Sequence, residues 1–209
     1  MIEYYNEDCM EGMKRYKDKH FSLAICDPPY GINIANMNMG IGKGAKCSKE
    51  ENRNWVSKNW DIEKPNNDYF DELFRITKNQ IIWGSNYFNL PVSHSFIVWD
   101  KAEGMYNRSF SECELAWSSF NKNAKIFKLS PVDKSRIHPT QKPVKLYKWL
   151  LHNYAKKGDL ILDTHVGSAS SLIACYDMGF DAVGFELDKD YYEASKKRLE
   201  EFMAQGRLF

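Results

Sequence analysis

Phe21-Ser22-Leu23-Ala24-Ile25-Cys26-Asp27-Pro28-Pro29-Tyr30 is the stretch whose reading decides the fold. Its first six residues make a short apolar run without strict alternation of apolar and polar positions. Such a run suits a strand buried on both faces of a parallel sheet. The run stops abruptly at two prolines, which fix φ and offer no N–H to a continuing strand.

Working outward, similar runs occur at Gln80–Trp83, Ser95–Trp99, Leu160–Leu162 and Ala182–Phe185, with a weaker one at Ile2–Tyr5. Helical periodicity lies between them. Tyr69–Lys78 puts Phe70, Leu73, Phe74 and Thr77 on one face, and Pro143–Tyr154 groups Leu146, Leu150 and Leu151 behind a proline suited to a first turn. Ser168–Met178 and Lys189–Met203 are further candidates. Strands alternating with helices predict an α/β fold, a mostly parallel twisted sheet with helices on both faces. No internal repeat is present. Two segments break the pattern, Gly31–Asn59 and Asn121–Ile137. The first is rich in Gly, Asn and Lys and predicts a flexible loop or insertion over 31–60. The second is short, basic and irregular.

The 209 residues fit one domain, or one domain with an insertion. A net charge of +1 argues against a histone-like protein that holds polyanions by bulk charge alone. The charge is uneven, however. Gly31–Trp60 carries five Lys/Arg against two Glu, and Asn121–Lys148 carries eight Lys/Arg against one Asp. These net +3 and +7 leave −9 over the rest. Both segments flank, in motif order, the base pocket proposed below. Phosphate contact is therefore expected from Lys43, Lys46 and Arg53 in the first, and from Lys122, Lys125 and Arg136 in the second. Five cysteines, none in a CxxC pair, predict reduced thiols in a cytoplasmic protein. The five histidines lack metal-ligand spacing, so no metal is expected. The apolar runs are too short to span a membrane, and the N-terminus does not read as a signal peptide.

Asp27-Pro28-Pro29-Tyr30 also carries chemistry. By residue frequencies this tetrapeptide is about a one-in-a-thousand accident in such a chain. An exocyclic amine on a nucleobase is a poor nucleophile because its lone pair is delocalised into the ring. Two acceptors for its N–H groups favour a more tetrahedral nitrogen. Asp27 supplies a carboxylate and Pro28 a carbonyl, with the prolines, Pro29 included, holding them in place. Tyr30 offers a face for an extruded base. No cysteine follows a proline, which argues against covalent attack at a pyrimidine C5. A second motif, Asp163-Thr164-His165-Val166-Gly167-Ser168-Ala169-Ser170, reads as strand, small-residue turn and helix. Glu186 stands at the tip of the next strand, where an acid accepts from ribose hydroxyls.

The chain resembles the β class of DNA amino-methyltransferases, the N6-adenine/N4-cytosine family. The resemblance covers nearly the whole chain. It runs through Asn6–Gly12, Asp27–Tyr30, Ile81–Phe88, Ser95–Lys101, the highly specific His138-Pro139-Thr140-Gln141-Lys142-Pro143, Asp163–Ser170, Gly184–Arg198 and Leu208-Phe209. Catalytic motif first and cofactor loop last is the permuted order of the β class. It implies a Rossmann-like methyltransferase fold with Ile2–Tyr5 beside Ala182–Phe185. The implied cofactor is S-adenosylmethionine, held by Asp8, Cys9, Asp27, Lys142, Asp163, His165, Val166, Gly167, Ser168, Glu186 and Leu187. Asp8 takes its adenine end and Lys142 lies near its methionine end. Tyr30, Trp83 and Asn86, with Phe88, are expected to wall a base pocket, although Trp83 reads equally well as core.

The resemblance implies an enzyme acting on double-stranded DNA in a bacterial or phage-infected cell, with restriction-modification as one setting. Asp in the first catalytic position favours adenine N6, with cytosine N4 the alternative. Residues 121–137 form a short target-recognition segment, and a homodimer is expected. The departures are Thr164, His165 and Ala169, where the family usually has Pro, Phe and Gly. They leave open a catalytically silent nucleic-acid-binding subunit.

Overall fold

The computed structural model describes residues 1–34, 58–107, 111–133 and 135–206. Its strands are β1 (Ile2–Tyr5), β2 (Phe21–Cys26), β3 (Thr77–Trp83), β4 (Phe96–Asp100), β5 (Cys113–Ser118), β6 (Lys125–Lys128), β7 (Leu160–Asp163) and β8 (Asp181–Phe185). They form one sheet in the order β1-β8-β7-β2-β3-β5-β4-β6. Among the described strands, only β5 runs antiparallel to its neighbours. The implied pairing of the N-terminal strand holds, from Ile2 opposite Ala182 to Tyr5 opposite Phe185.

The helices are α1 (Cys9–Met13), α2 (Asn67–Ile76), α3 (Val144–Tyr154), α4 (Ser170–Met178) and α5 (Lys189–Ala204). Period-two alternation sorts the strand residues onto two cores. Leu23, Ile25, Ile81, Trp83, Ile161 and Ala182 meet α3 and α4 on one face. Ala24, Cys26, Ile82, Leu162, Val183 and Phe185 meet α1 and α2 on the other. Burial on both faces is why these strands read as continuous apolar runs.

Two segments differ from expectation. The helix predicted to reach Lys78 stops at Ile76, and Thr77 opens β3. The Leu73 carbonyl in the last turn accepts both the Thr77 backbone N–H and, at 2.5 Å, the Thr77 hydroxyl, which closes the helix there. The segment 121–137, expected to be irregular, contains β6, an edge strand parallel to β4 with Ile97 opposite Lys125. Its pairing comes from the β4 backbone. Its own side chains are mostly exposed, with Phe127 packed on Trp149, so it carries little hydrophobic pattern.

Gly184 in β8 fixes how closely the 163–170 loop approaches the sheet. A Cβ there would stand 2.6 Å from Val166 Cγ2 and 3.1 Å from Leu172. Gly184→Ala should therefore lower the unfolding free energy by about 1–3 kcal/mol through overpacking, read from urea denaturation.

Candidate active site

Parallel strands gather their carboxyl ends at one edge of the sheet, where open α/β folds bind ligands. Asp8 follows β1, Asp27 follows β2, Asp163 ends β7 and Glu186 follows β8. A cavity of about 450 Å³ opens at this edge. Asp8, Cys9, Asp27, Lys142, His165, Val166, Gly167, Ser168, Glu186 and Leu187 all line it. Asp163 does not line it and is buried. Of the catalytic tetrapeptide, Asp27 and Pro29 line the cavity, Pro28 is buried and Tyr30 lies beyond the lining.

The Asp27 carboxylate has two partners. The Tyr30 hydroxyl donates to Oδ1 at 2.6 Å and Lys142 Nζ donates to Oδ2 at 2.5 Å. Burial pushes this carboxyl up, while the Lys142 ammonium opposes the rise. Lys142 is only 4% exposed and also meets Glu114 at 3.0 Å. The ammonium expected near a cofactor is thus committed to two carboxylates of the protein. The Tyr30 ring stacks on Tyr87 at 4.8 Å and 13°, and packs so tightly on Gly84 that a Cβ there would lie 2.1 Å from it. Gly84 has φ +71°, so both space and backbone require glycine.

Asp61 was not singled out in the sequence. It is 1% exposed, and its carboxylate accepts the backbone N–H groups of Tyr30 (2.7 Å), Gly31 (3.0 Å) and Ile34 (2.8 Å). It therefore joins the two ends of the 31–60 segment directly after the tetrapeptide. An acid four residues before Pro65 gave no periodic or motif signal. Beside it, Trp60 packs on His138, which packs on Tyr191, and all three line the cavity.

At the opposite end, Glu186 accepts from Gly167 N at 2.8 Å and Asp188 N at 2.9 Å. Each oxygen uses one lone pair and keeps one for a hydroxyl donor. Burial raises its carboxyl. Asp163 accepts from the Ser171 hydroxyl and His165 N, and burial raises it to about 7. The departures from the family pattern form a network of their own. The buried Tyr69 hydroxyl bonds to Thr164 Oγ1 at 2.7 Å, and Thr164 Oγ1 to His165 Nδ1 at 2.9 Å.

Other expected residues fall elsewhere. Trp83, a candidate wall of a base pocket, is fully buried in the core, with its ring centroid 5.4 Å from Lys142 Nζ. Asn86 is exposed, and Phe88 packs on Phe70. Lys122 and Lys125 do not flank the cavity. They bond to the Asn153 carbonyl and side chain near the end of α3, and β6 places Lys125 at the edge of the sheet away from Asp27. Arg136 donates to the Pro139 carbonyl. Lys43, Lys46 and Arg53 lie outside the described residues. Among the described residues no cluster of His, Cys, Asp and Glu could hold a metal, and no helix is long and apolar enough to cross a membrane.

A family model described as DNA methylase matches residues 98–197. A putative methylase, YubD, of Escherichia coli K12 is 33% identical over 95% of this chain and 90% of its own length. The chain belongs to the DNA amino-methyltransferase family. The type II methyltransferase M2.DpnII of Streptococcus pneumoniae is 25% identical over 94% of the chain and 92% of its own length. Among solved structures, the M1.HpyAVI–SAM complex matches with a TM-score of 0.59 at 20% identity, over 95% of this chain and 100% of that one. The PvuII DNA methyltransferase (cytosine-N4-specific) matches with a TM-score of 0.61 at 14% identity, over 97% and 90%. These structural likenesses confirm the Rossmann-like methyltransferase fold.

The family's usual glycine before α4 is Ala169 here, at φ +61° and fully buried. A left-handed alanine costs about 1–2 kcal/mol. Glycine would lose about 0.5–1 kcal/mol in chain entropy and about 0.8 kcal/mol of methyl burial. The terms nearly cancel, so Ala169→Gly should be close to neutral in urea denaturation. Ala169→Val should be strongly destabilising, because a β-branched residue does not tolerate this φ.

Burial lowers His165 from 6.5 to about 4. Between these values the unfolded chain takes up a proton that the folded protein refuses, so this residue's contribution to stability falls as pH falls. Relative to wild type, His165→Phe should gain up to about 1.4 kcal/mol per pH unit on acidification through that window, measured by urea titrations at successive pH values.

Proposed function

We propose that this protein is an S-adenosylmethionine-dependent DNA methyltransferase that methylates the exocyclic N6 of an adenine extruded from double-stranded DNA. One observation carries the reading. Asp27, at the tip of β2, lines the same cavity as Glu186 and Gly167, so an amine at Asp27 can meet a small molecule held at the Glu186 end. The cavity volume suits a ligand of that size. The residues fit the cofactor, since Glu186 retains lone pairs for hydroxyls and Asp8 and His165 line the same space. Bound there, S-adenosylmethionine supplies an electrophilic methyl group.

Asp27 accepts an N–H of the target amine and, with the Pro28 carbonyl, favours a localised lone pair on its nitrogen. Its negative charge stabilises the positive charge that grows on that nitrogen. Tyr30, braced by Gly84 and Tyr87, contributes an aromatic ring beside this acceptor. The proton released after transfer passes to solvent. Adenine rests on the aspartate in the first catalytic position, as the family resemblance implies, and cytosine N4 is the other product the chemistry allows.

The test is transfer of tritiated methyl groups to duplex DNA, followed by nucleoside analysis. Wild type should yield N6-methyladenine. Asp27→Ala, checked for cofactor binding by calorimetry, should lose about 100-fold or more in rate. Equal incorporation by both proteins would sink the mechanism, and N4-methylcytosine would redirect the substrate.

A further inference from the structure

Asp27 ends a line of four charges drawn from four parts of the fold. Lys101, just after β4, meets Glu114 Oε1 at 2.9 Å. Glu114, in β5, meets Lys142 at 3.0 Å through Oε2, a buried oxygen that receives no hydrogen bond of good geometry. Coulomb attraction therefore carries that contact. Lys142, just before α3, meets Asp27 at 2.5 Å. The signs alternate from Asp27 outward as minus, plus, minus, plus.

We propose that Glu114 is a positioning residue for Asp27: it offsets the Lys142 ammonium, so that Asp27 presents a net negative charge to an incoming amine. The proposal rests on the reading of Asp27 as the amine's acceptor. An amine nitrogen that takes a methyl group becomes positive, and the group facing it must be negative. Asp27 and Lys142 alone form a neutral pair whose two fields nearly cancel at the amine. Two unit charges 4 Å apart at an effective dielectric of 20 interact by about 4 kcal/mol, so this cancellation matters on the scale of a barrier. Glu114 restores one negative charge to the group of three. Lys101 answers Glu114 from the far end, where it is most distant from the amine. Glu114 also gives Lys142 a second carboxylate contact, which helps to fix where the ammonium sits.

The charged and titratable groups around Asp27 are Lys142, Glu114 and Tyr30, with Tyr147 of α3 and Asp163 of β7. Of these, Glu114 raises the Asp27 carboxyl and Lys142 lowers it. Neutralising Glu114 leaves Lys142 unopposed, so Asp27 should titrate at lower pH. Neutralising Lys101 strengthens the influence of Glu114, so Asp27 should titrate at higher pH. Opposite signs from two neighbouring substitutions are not what general loosening of the site would produce.

The experiment follows the Asp27 carboxyl by carbon-13 NMR in the full chain labelled at aspartate, with Asp27→Asn for assignment. Methyl-transfer kcat and KM for DNA are measured across pH on the same proteins. Glu114→Gln is expected to lower the Asp27 midpoint by about one unit and kcat by about tenfold, with KM unchanged. Glu114→Asp should recover part of kcat, and Lys101→Met should raise the midpoint. An unshifted midpoint in Glu114→Gln, or shifts of the same sign in Glu114→Gln and Lys101→Met, would overturn the proposal. If Glu114→Gln does not fold, Lys101→Met decides alone: a rise supports the proposal, and a fall or no change overturns it. Absence of methyl transfer by wild type would count against the functional reading, while the NMR titrations would still decide the role of Glu114.

Discussion

The ion pair between Lys142 and Asp27 is the contact on which the site depends. A carboxylate sheltered at the end of a parallel strand stays charged only with a partner, and the partner here is itself buried. Removing one member of such a pair costs about 3–5 kcal/mol because the other is left uncompensated. The pair also joins distant parts of the chain. Asp27 ends β2, and Lys142 arrives with the segment that starts α3, so docking α3 on the sheet delivers the ammonium. Antiparallel β5, lodged between β3 and β4, brings Glu114 to the same ammonium. The one reversed strand in the described sheet is thus the one that completes the charge line.

Much of the fold was legible because its strands are buried on both faces. β2 was read to the residue, and β7 and β8 to within one residue at an end. The pairing of β1 with β8 followed from the family resemblance, whose permuted motif order implies it. What escaped was whatever lacked a repeating apolar signal. α1 spans only five residues and is set by the Asp8 cap. β6 is an edge strand whose pattern is mostly exposed. That the loop after β7 and the acid after β8 meet at one cavity was legible because they follow a known spacing. Asp61 and Glu114 were not, because each acts across the fold on backbone or charge that no local pattern reveals. Lys122 and Lys125 were expected beside the cavity and lie elsewhere. Proximity in motif order was taken for proximity in space, whereas β6 carries them to the far edge.

The departures at Thr164, His165 and Ala169 have a common physical logic. The loop keeps the backbone shape of the family pattern, since Ala169 occupies the left-handed conformation that glycine prefers. Thr164 gives up a rigid ring and gains a partner, because its hydroxyl satisfies that of the buried Tyr69. Without it, the buried hydroxyl would keep only the weakly hydrogen-bonding Cys26 thiol as a partner. His165 keeps a flat ring facing the cavity region, and burial keeps that ring neutral near pH 7. The substitutions therefore read as one coupled solution reaching from α2 to the loop, not as three separate losses.

Charge around the cavity carries the argument one step further. Asp8, Asp27, Glu186 and Asp188 line it; Lys142 answers Asp27 and Glu114, and Lys58 answers Asp188, so Asp8 and Glu186 are the acids left to face an occupant. An α/β fold with a loop leading into a helix is a common cradle for phosphates, which favour helix N-termini and exposed N–H groups. Here the loop N–H of Gly167 is given to Glu186, so the most obvious anion donor is occupied by the protein's own acid. An acid-lined cavity repels a pyrophosphate and favours a cationic occupant. S-adenosylmethionine, the cofactor of the family, carries a sulfonium charge and ribose hydroxyls, and so suits such a cavity better than a pyrophosphate does. The same fold that elsewhere suits dinucleotides is turned, by the charges at its strand tips, toward a cation.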